Sequence, residues 1–384
     1  MKTLSDIEYL KDVRVLVRVD FNVPIAKGKV VNDYRIRMAL PTINFLREKG
    51  AKVVLMSHLE VAEGEENTLE PVVSVLVKLG VPVTFVKNIR SATDAIAKLT
   101  AGSCLLLENL RQFEGEKAND PQFAKELASL GDIYVDDAFS VCHRKHASVV
   151  GVPKLLPSYA GLQIQNEIEH LSKAFQPEHP FLFILGGAKF ETKLPLLERF
   201  IRIADNVFVG GALANDFFKA KGYEIGKSLT SATDFDFSKY FSNPGLMLPV
   251  DAVVASGAMD DDGAKGADTK SVKPVDSIGK NEKIMDAGPK SLELLKAKID
   301  AAKFILWNGP LGLYEGGYCD ATLEVAKMIA ARSGKVISMV GGGDTLAAIA
   351  TLGLEDKFTF VSTAGGAMLD FLANGSLPGI DALN

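Results

Sequence analysis

The chain has 384 residues, of which 47% are hydrophobic and 24% charged, and its formal net charge is −5. That length exceeds the roughly 250–300 residues at which one core stops growing, so about two domains are expected. The composition is globular, which argues against a disordered or membrane-embedded chain, and the acidic balance argues against a nucleic-acid binder, which usually shows a basic face.

No apolar run approaches the ~20 residues of a membrane-spanning helix. Met1 to Asp12 lacks the basic start and apolar stretch of a signal peptide, so a soluble, cytoplasmic protein with no membrane partner is expected. Cys104, Cys142 and Cys319 are too few and too far apart for a disulfide frame or a cysteine metal site, and read as reduced thiols.

Short apolar, β-branched segments recur along the first half: Val13 to Val19, Lys52 to Met56, Val81 to Phe85, Cys104 to Leu107 and Asp132 to Val135. Longer amphipathic stretches separate them, which is the rhythm of a parallel sheet with crossover helices. Leu162 to Phe175 spaces its apolar residues at helical intervals and stops before Gln176-Pro177, as a linking helix would. The second half repeats the pattern at Phe181 to Leu185, Asn206 to Val209, Phe304 to Trp307, Val336 to Val340 and Phe358 to Val361. The polar, glycine-rich stretch Asp260 to Thr269 reads as an exposed loop. The fold class expected is α/β: two doubly wound, Rossmann-like parallel-sheet domains joined by a linking helix and hinge. The domains are expected at 1–161 plus 370–384 and at 176–369, with the linking helix over 162–175.

Chemistry-bearing residues fall at or just past the carboxyl ends of these strands, where open α/β sheets bind ligands. In the first half the ends carry Arg18-Val-Asp20-Phe-Asn22, Ser57-His58, Glu108-Asn109-Leu-Arg111 and Asp136-Asp137, with Arg35, Arg37, His143 and Arg144 in adjoining segments. The guanidinium fork matches a phosphate or carboxylate, so this half reads as an anion pocket. In the second half the ends carry Gly186-Gly187-Ala-Lys189, Gly210-Gly211, Asn308-Gly309-Pro310, Gly341-Gly342-Gly343-Asp344-Thr345 and Gly365-Gly366. Glycines before a helix let backbone amides approach a phosphate, so this half reads as a nucleotide site.

Taken singly, each signal has a plainer alternative. A glycine pair can be an ordinary tight turn, and Asp344-Thr345 can merely cap a helix. Lys189 and Lys193 share one helical face that could be solvated, while Arg111 and Arg144 could be surface ion pairs. His143 and His146 read as structural or substrate-facing groups, since no acidic or cysteine partner has metal spacing. Gly222 to Ser228 imitates a P-loop, but the position six before Lys227 is Lys221 and not glycine, so it receives no phosphate-binding role. No well-placed Gly-x-Gly-x-x-Gly follows the first strand, which weakens a dehydrogenase reading.

Nine segments, in order, resemble the phosphoglycerate kinase family: RVDFNVP at Arg18 to Pro24, DYRIR at Asp33 to Arg37, LENLR at Leu107 to Arg111, DAFSVCHRKHAS at Asp137 to Ser148, GGAKFETK at Gly186 to Lys193, LPVD at Leu248 to Asp251, WNGPLGLYE at Trp307 to Glu315, GGGDT at Gly341 to Thr345 and STAGGA at Ser362 to Ala367. The resemblance implies reversible phosphoryl transfer between ATP and 3-phosphoglycerate, giving ADP and 1,3-bisphosphoglycerate in glycolysis and gluconeogenesis. It implies that Asp20, Asn22, Arg35, His58, Arg111 and Arg144 hold the substrate. Around the nucleotide it implies Lys189, Lys193, Asn308 and Glu315, with Asp344 on the Mg²⁺ side and amides of Gly343 and Gly366 near the transferring group. The glycines Gly210, Gly341 and Gly342, with Thr345, complete the expected nucleotide set. The resemblance also implies a monomer, and a chain end beyond about Asp370 that returns to the first domain.

Two departures from the family pattern stand out. The usual Ser-His-Leu-Gly-Arg-Pro runs here as Ser57-His58-Leu59-Glu60-Val61-Ala62, so Val61 replaces an arginine that helps hold the substrate phosphate. That removes a charge-assisted hydrogen bond worth about 1.5–3 kcal/mol, and Glu60, Glu63, Glu65 and Glu66 add negative charge to the same loop. In the nucleotide half, the family's Gly-Gly-Gly-Met-Ala is Gly210-Gly211-Ala212-Leu213-Ala214, and Asp216 stands where threonine is common.

The implied mechanism is in-line attack of the substrate carboxylate on the γ-phosphorus. A carboxylate is already ionised above pH ~4, so no general base is needed. What remains is positioning and charge stabilisation, for which Arg35, Lys189 and the helix starts at Gly343 and Gly366 are the expected catalytic groups. Closure about the linking helix would then exclude water.

Overall fold

The computed structural model describes residues 1–61, 63–231, 235–257 and 267–384. The chain divides into two compact units, one made of Met1–Glu169 with Asn374–Asn384 and the other of His170–Ala373. The Leu162–Ser172 helix, continued by a 3-10 turn at Lys173–Phe175, runs through the division. The division therefore falls inside this helix and not at its ends, and the returning segment starts at Asn374, four residues later than the expected Asp370.

In the first unit a six-stranded sheet runs in the order Val83–Val86, Cys104–Leu107, Lys52–Met56, Arg14–Arg18, Ile133–Asp136 and Ser158–Ala160. All five pairings are parallel. Strands covered on both faces carry unbroken apolar runs instead of alternation. Cys104–Leu107 is buried at every position, and Lys52–Met56 at every position but the first. The Tyr34–Glu48 helix covers one face by burying Ile36, Ala39, Ile43 and Leu46 at i, i+3, i+7 and i+10, which leaves Arg35 and Arg37 in its first turn off that core. In the returning segment, Gly379 N donates to Cys142 O at 2.8 Å.

The second unit repeats the architecture with Leu246–Met247, Asn206–Val209, Phe181–Leu185, Phe304–Asn308, Ile337–Gly341 and Phe360–Ser362, again all parallel. Phe181 sits edge-on to Phe200 and Phe304, with centroids 5.9 and 5.2 Å away, and each such pair adds ~0.5–1.5 kcal/mol beyond the area it buries. A three-stranded antiparallel sheet of Ala267–Pro274, Asp251–Gly257 and Glu282–Ala287 stands beside this parallel sheet in sequence and has no counterpart in the other unit among the described residues.

The expected strands and the linking helix occur within two residues of their expected limits. Ser158–Ala160 and Leu246–Met247 were not expected, because two or three residues are too few to show a period. The antiparallel sheet was missed because its two outer strands are interrupted by Lys270, Lys273, Glu282 and Lys283, and the short apolar run Ala252 to Ala255 of its central strand has no apolar neighbour in sequence to pair with. Of the loop expected over Asp260 to Thr269, residues 260–266 lie outside the described residues, as does Ala62. From Ala267 onward that expectation is corrected to a strand. Among the described residues no helix is long and apolar enough to cross a membrane.

Candidate active site

At the carboxyl edge of the first sheet, Arg18 is fully buried. Its Nε donates to Ser148 Oγ at 2.9 Å and one Nη to Val19 O at 2.6 Å. Ser148 in turn donates from Oγ and N to the two carboxylate oxygens of Glu116, at 2.6 and 3.0 Å. Glu116 is also fully buried, so it supplies the opposite charge that an interior guanidinium needs. The other Nη of Arg18 lies 3.2 Å from His58 Nδ1. Guanidinium has no acceptor, so Nδ1 must accept and the ring proton resides on Nε2. Burial, then the charges of Arg18, Arg111 and Arg35, hold the His58 pKa well below its usual value. His146 is drawn down to about 4 by burial and by Arg111, Arg18 and Arg144. Two histidines kept neutral by burial and by neighbouring guanidinium groups lie in a positive field suited to an anion.

Asp20 orients Arg35: its Oδ2 accepts from Arg35 Nη1 at 2.8 Å and from Ser140 Oγ at 2.6 Å, while Oδ1 accepts from Asn22 N at 3.0 Å. Asn22 Oδ1 accepts from Glu60 N at 2.8 Å. Asn109 Oδ1 accepts from both Leu59 N and Arg111 N, at 2.9 and 3.0 Å, and so ties the loop after one strand to the turn after another. The Arg111 guanidinium forms an ion pair with Glu60. Arg144 is exposed, and its charge reaches His146. The expected Asp20, Asn22, Arg35, His58, Arg111 and Arg144 thus gather at one edge. Asp137 serves the scaffold instead, since its Oδ1 accepts from Thr42 Oγ1 and Gln163 N, both at 2.8 Å.

The second unit has a cleft of ≈510 Å³ at the carboxyl edge of its parallel sheet. Lys189, Lys193, Asn308, Glu315, Gly342, Gly343 and Asp344 line it. Three turns meet so closely there that side chains are excluded. Gly309 has φ +93° and a Cβ on it would stand 2.3 Å from Gly186 O, while a Cβ on Gly211, at φ +62°, would stand 2.6 Å from Gly187 N. Lys193 is buried, and its Nζ donates to Gly186 O. Burial draws its ammonium pKa down to about 8, against the opposing pull of Asp344. The Gly343–Thr351 helix begins at the cleft wall and directs its amino end inward, which favours a phosphate.

Four expected contacts stand behind or beside this wall. Gly210 and Gly341 are buried strand-end residues whose Cβ would strike Leu311 and Met368. Thr345 is buried and accepts from Gly309 N at 3.1 Å, and Gly366 opens the Gly366–Asn374 helix next to the lining residue Gly365. None of Gly222 to Ser228 lines the cleft.

The apolar side of the cleft went unread in the sequence. It comes from Phe218, Ala252, Ile284, Met285, Leu311 and Leu313, half of them carried by the antiparallel sheet. Asp286 also lines it, accepts from Ala287 N and Ala321 N at 2.9 and 3.0 Å, and is pushed up to about 7 by burial. Asp216, at the family's threonine position, accepts from Ser231 N and Oγ at 3.0 Å each.

Two parallel sheets, one edged with guanidinium groups and the other with glycine turns and lysines, narrow the comparison with known proteins. The phosphoglycerate kinase family model matches residues 4–375. The chain belongs to the phosphoglycerate kinase family. A phosphoglycerate kinase of Dictyoglomus turgidum is 44% identical over 397 residues, covering 100% of this chain and 98% of the relative. One from Caulobacter vibrioides is 43% identical over 386 residues, covering 96% of each. Among solved structures, the phosphoglycerate kinase of Coxiella burnetii matches with a TM-score of 0.85 at 37% identity, covering 99% of this chain and 98% of that one. That of Pyrococcus horikoshii matches with a TM-score of 0.83 at 32% identity, covering 100% and 98%. Within the family pattern, Val61 packs against the apolar core of the first unit, so the arginine position has become a packing position.

Proposed function

We propose that the chain transfers the γ-phosphoryl group of ATP to the carboxylate of 3-phosphoglycerate, giving 1,3-bisphosphoglycerate and ADP, and runs the same step in reverse as a glycolytic enzyme. The observation that supports this reading is the contrast between the carboxyl edges of the two parallel sheets, one built of guanidinium and neutral imidazole, the other of glycine turns and lysines. In this reading 3-phosphoglycerate occupies the first edge. Arg111 and Arg144 face its phosphate, His58 donates from Nε2, and Asp20 and Asn22 keep Arg35 and the Glu60 backbone in place. ATP occupies the second edge, with its phosphates towards Lys189, Lys193 and the Gly343 amide, and its base against the apolar wall of the cleft.

The attacking carboxylate is ionised at neutral pH, so no residue has to remove a proton. Catalysis is then charge neutralisation of the transferring group, by Arg35 from the substrate side and Lys189 with the helix amino ends at Gly343 and Gly366 from the nucleotide side. Among the described residues no three His, Cys, Asp or Glu side chains converge as a metal cage. Mg²⁺ is commonly held by one or two carboxylates together with substrate phosphates, and Asp344, in the cleft wall close enough to act on Lys193, is the carboxylate that would hold it. When bound it supplies neutralisation of the β- and γ-phosphate charge. We also assign the protein to the cytoplasm, as a monomer.

The test is an assay with Mg-ATP and 3-phosphoglycerate, coupled to glyceraldehyde-3-phosphate dehydrogenase and followed by NADH oxidation, with Arg35→Ala alongside. Turnover that requires both substrates and collapses in the variant is the expected result. ATP binding with no turnover of 3-phosphoglycerate would overturn the proposal.

A further inference from the structure

The ion pair between Glu60 and Arg111 joins a group the substrate phosphate would use to a carboxylate of the chain itself. Arg111 is largely buried, with 14% of its side chain exposed, whereas the Glu60 side chain is 63% exposed. The contact does not arise from two mobile side chains meeting by chance. Glu60 N donates to Asn22 Oδ1, and Asn109 Oδ1 accepts from Leu59 N and Arg111 N together, so two amide side chains hold the backbones on both sides of the pair. Asn109 Nδ2 also donates to Leu59 O at 2.9 Å. Beside it, the partly buried Val61 packs against the core, which holds the loop down at the site. The Nε of Arg111 is buried and has no hydrogen-bond partner among the described residues, so Glu60 satisfies this guanidinium only in part.

We infer that Glu60 is a built-in competitor for the substrate-binding Arg111, so that an incoming phosphate must displace the Glu60 carboxylate before it can use that guanidinium. This rests on the substrate assignment made above. A guanidinium has one set of donors, and a carboxylate that occupies them in the free protein subtracts its own pairing energy from that of any anion that replaces it. Glu60 therefore sets substrate affinity without touching the reacting atoms. Because its side chain is mostly exposed, the loss of the pair on displacement is modest, and the loop acts as a threshold against weakly bound anions and not as a block.

The inference is tested by calorimetric titration of 3-phosphoglycerate, inorganic phosphate and Mg-ADP into the wild-type chain, Glu60→Ala and Glu63→Ala. Glu63 lies in the same loop and carries the same charge, so its removal separates the ion pair from the general field of the loop. Glu60→Ala is expected to tighten 3-phosphoglycerate binding roughly two- to fivefold, the scale of a partly exposed ion pair, with Mg-ADP unmoved and Glu63→Ala like wild type. No tightening in Glu60→Ala, or equal tightening in Glu63→Ala, would overturn it. If the wild-type chain bound no 3-phosphoglycerate, the substrate assignment would fall, and inorganic phosphate would decide the competition by itself: tighter binding only in Glu60→Ala upholds the pair, and equal binding in all three proteins refutes it.

Discussion

In the first unit positive charge is carried on long side chains, those of Arg18, Arg35, Arg111 and Arg144, and the first three are steered by an acid or amide beside or behind them. In the second unit the wall is mainly backbone, three glycine turns pressed against one another, with Lys193 buried among them. The first design reads shape through the guanidinium fork and can be retuned by one neighbour, as Glu60 does to Arg111. The second tolerates almost no change, because a methyl group on Gly309 or Gly211 would enter the space of the facing turn. Substitutions in the first unit should therefore act on one ligand in graded steps, and substitutions in the second on a single rigid seat.

The largest effect is expected for Arg35→Ala. Loss of a preorganised positive donor to the transferring group should lower kcat by about 10²–10³-fold, while Mg-ADP affinity measured by calorimetry stays near wild type. Comparable losses in both would break the division of labour. Next, Lys193→Met should weaken Mg-ADP about 10–100-fold, the range for a hydrogen bond to a charged group, and leave 3-phosphoglycerate binding unchanged. Since burial brings the Lys193 ammonium down to about 8, wild-type ADP affinity should also decline as pH rises past that value, with no such slope in the variant.

A smaller effect concerns Asp137, whose carboxyl is pushed up to about 8 by burial. An unfolded aspartate ionises near pH ~4. Between those values the unfolded chain holds fewer protons than the folded one, so this residue makes stability fall as pH rises from about 4 towards about 8. Asp137→Asn keeps the shape and removes the ionisation. Its urea midpoint should gain on wild type as pH increases over that window, and parallel profiles would contradict the assignment. The smallest effect is expected for Arg37→Ala. Arg37 is two residues from Arg35 but spent on an exposed pair with Asp33 at 2.8 Å, so kcat should stay within about twofold.

Much of this architecture was legible in the sequence because parallel strands buried on both faces must be apolar throughout, and Cys104–Leu107 and Phe181–Leu185 are. Residues past the strand ends were legible because open α/β sheets bind ligands there, and clusters of glycine, arginine and histidine recur at those ends. The supporting partners were not. Glu116 lies in a short helix far from Arg18 in sequence, and only folding brings Ser148 between them. The apolar side of the nucleotide cleft was hidden for a related reason, since Ile284 and Met285 sit in a strand that begins with Glu282 and Lys283 and shows no apolar run. The Glu60–Arg111 pair was foreshadowed by the acidic loop, but which glutamate reaches the arginine depends on Asn22 and Asn109.

The most direct test of this division is a pair of calorimetric titrations, Mg-ADP and 3-phosphoglycerate, each into wild type, Arg111→Ala and Lys193→Met. The account requires a crossed result: Arg111→Ala loses 3-phosphoglycerate and keeps Mg-ADP, whereas Lys193→Met loses Mg-ADP and keeps 3-phosphoglycerate. If either variant weakened both ligands to the same degree, the assignment of one ligand to each unit would be wrong.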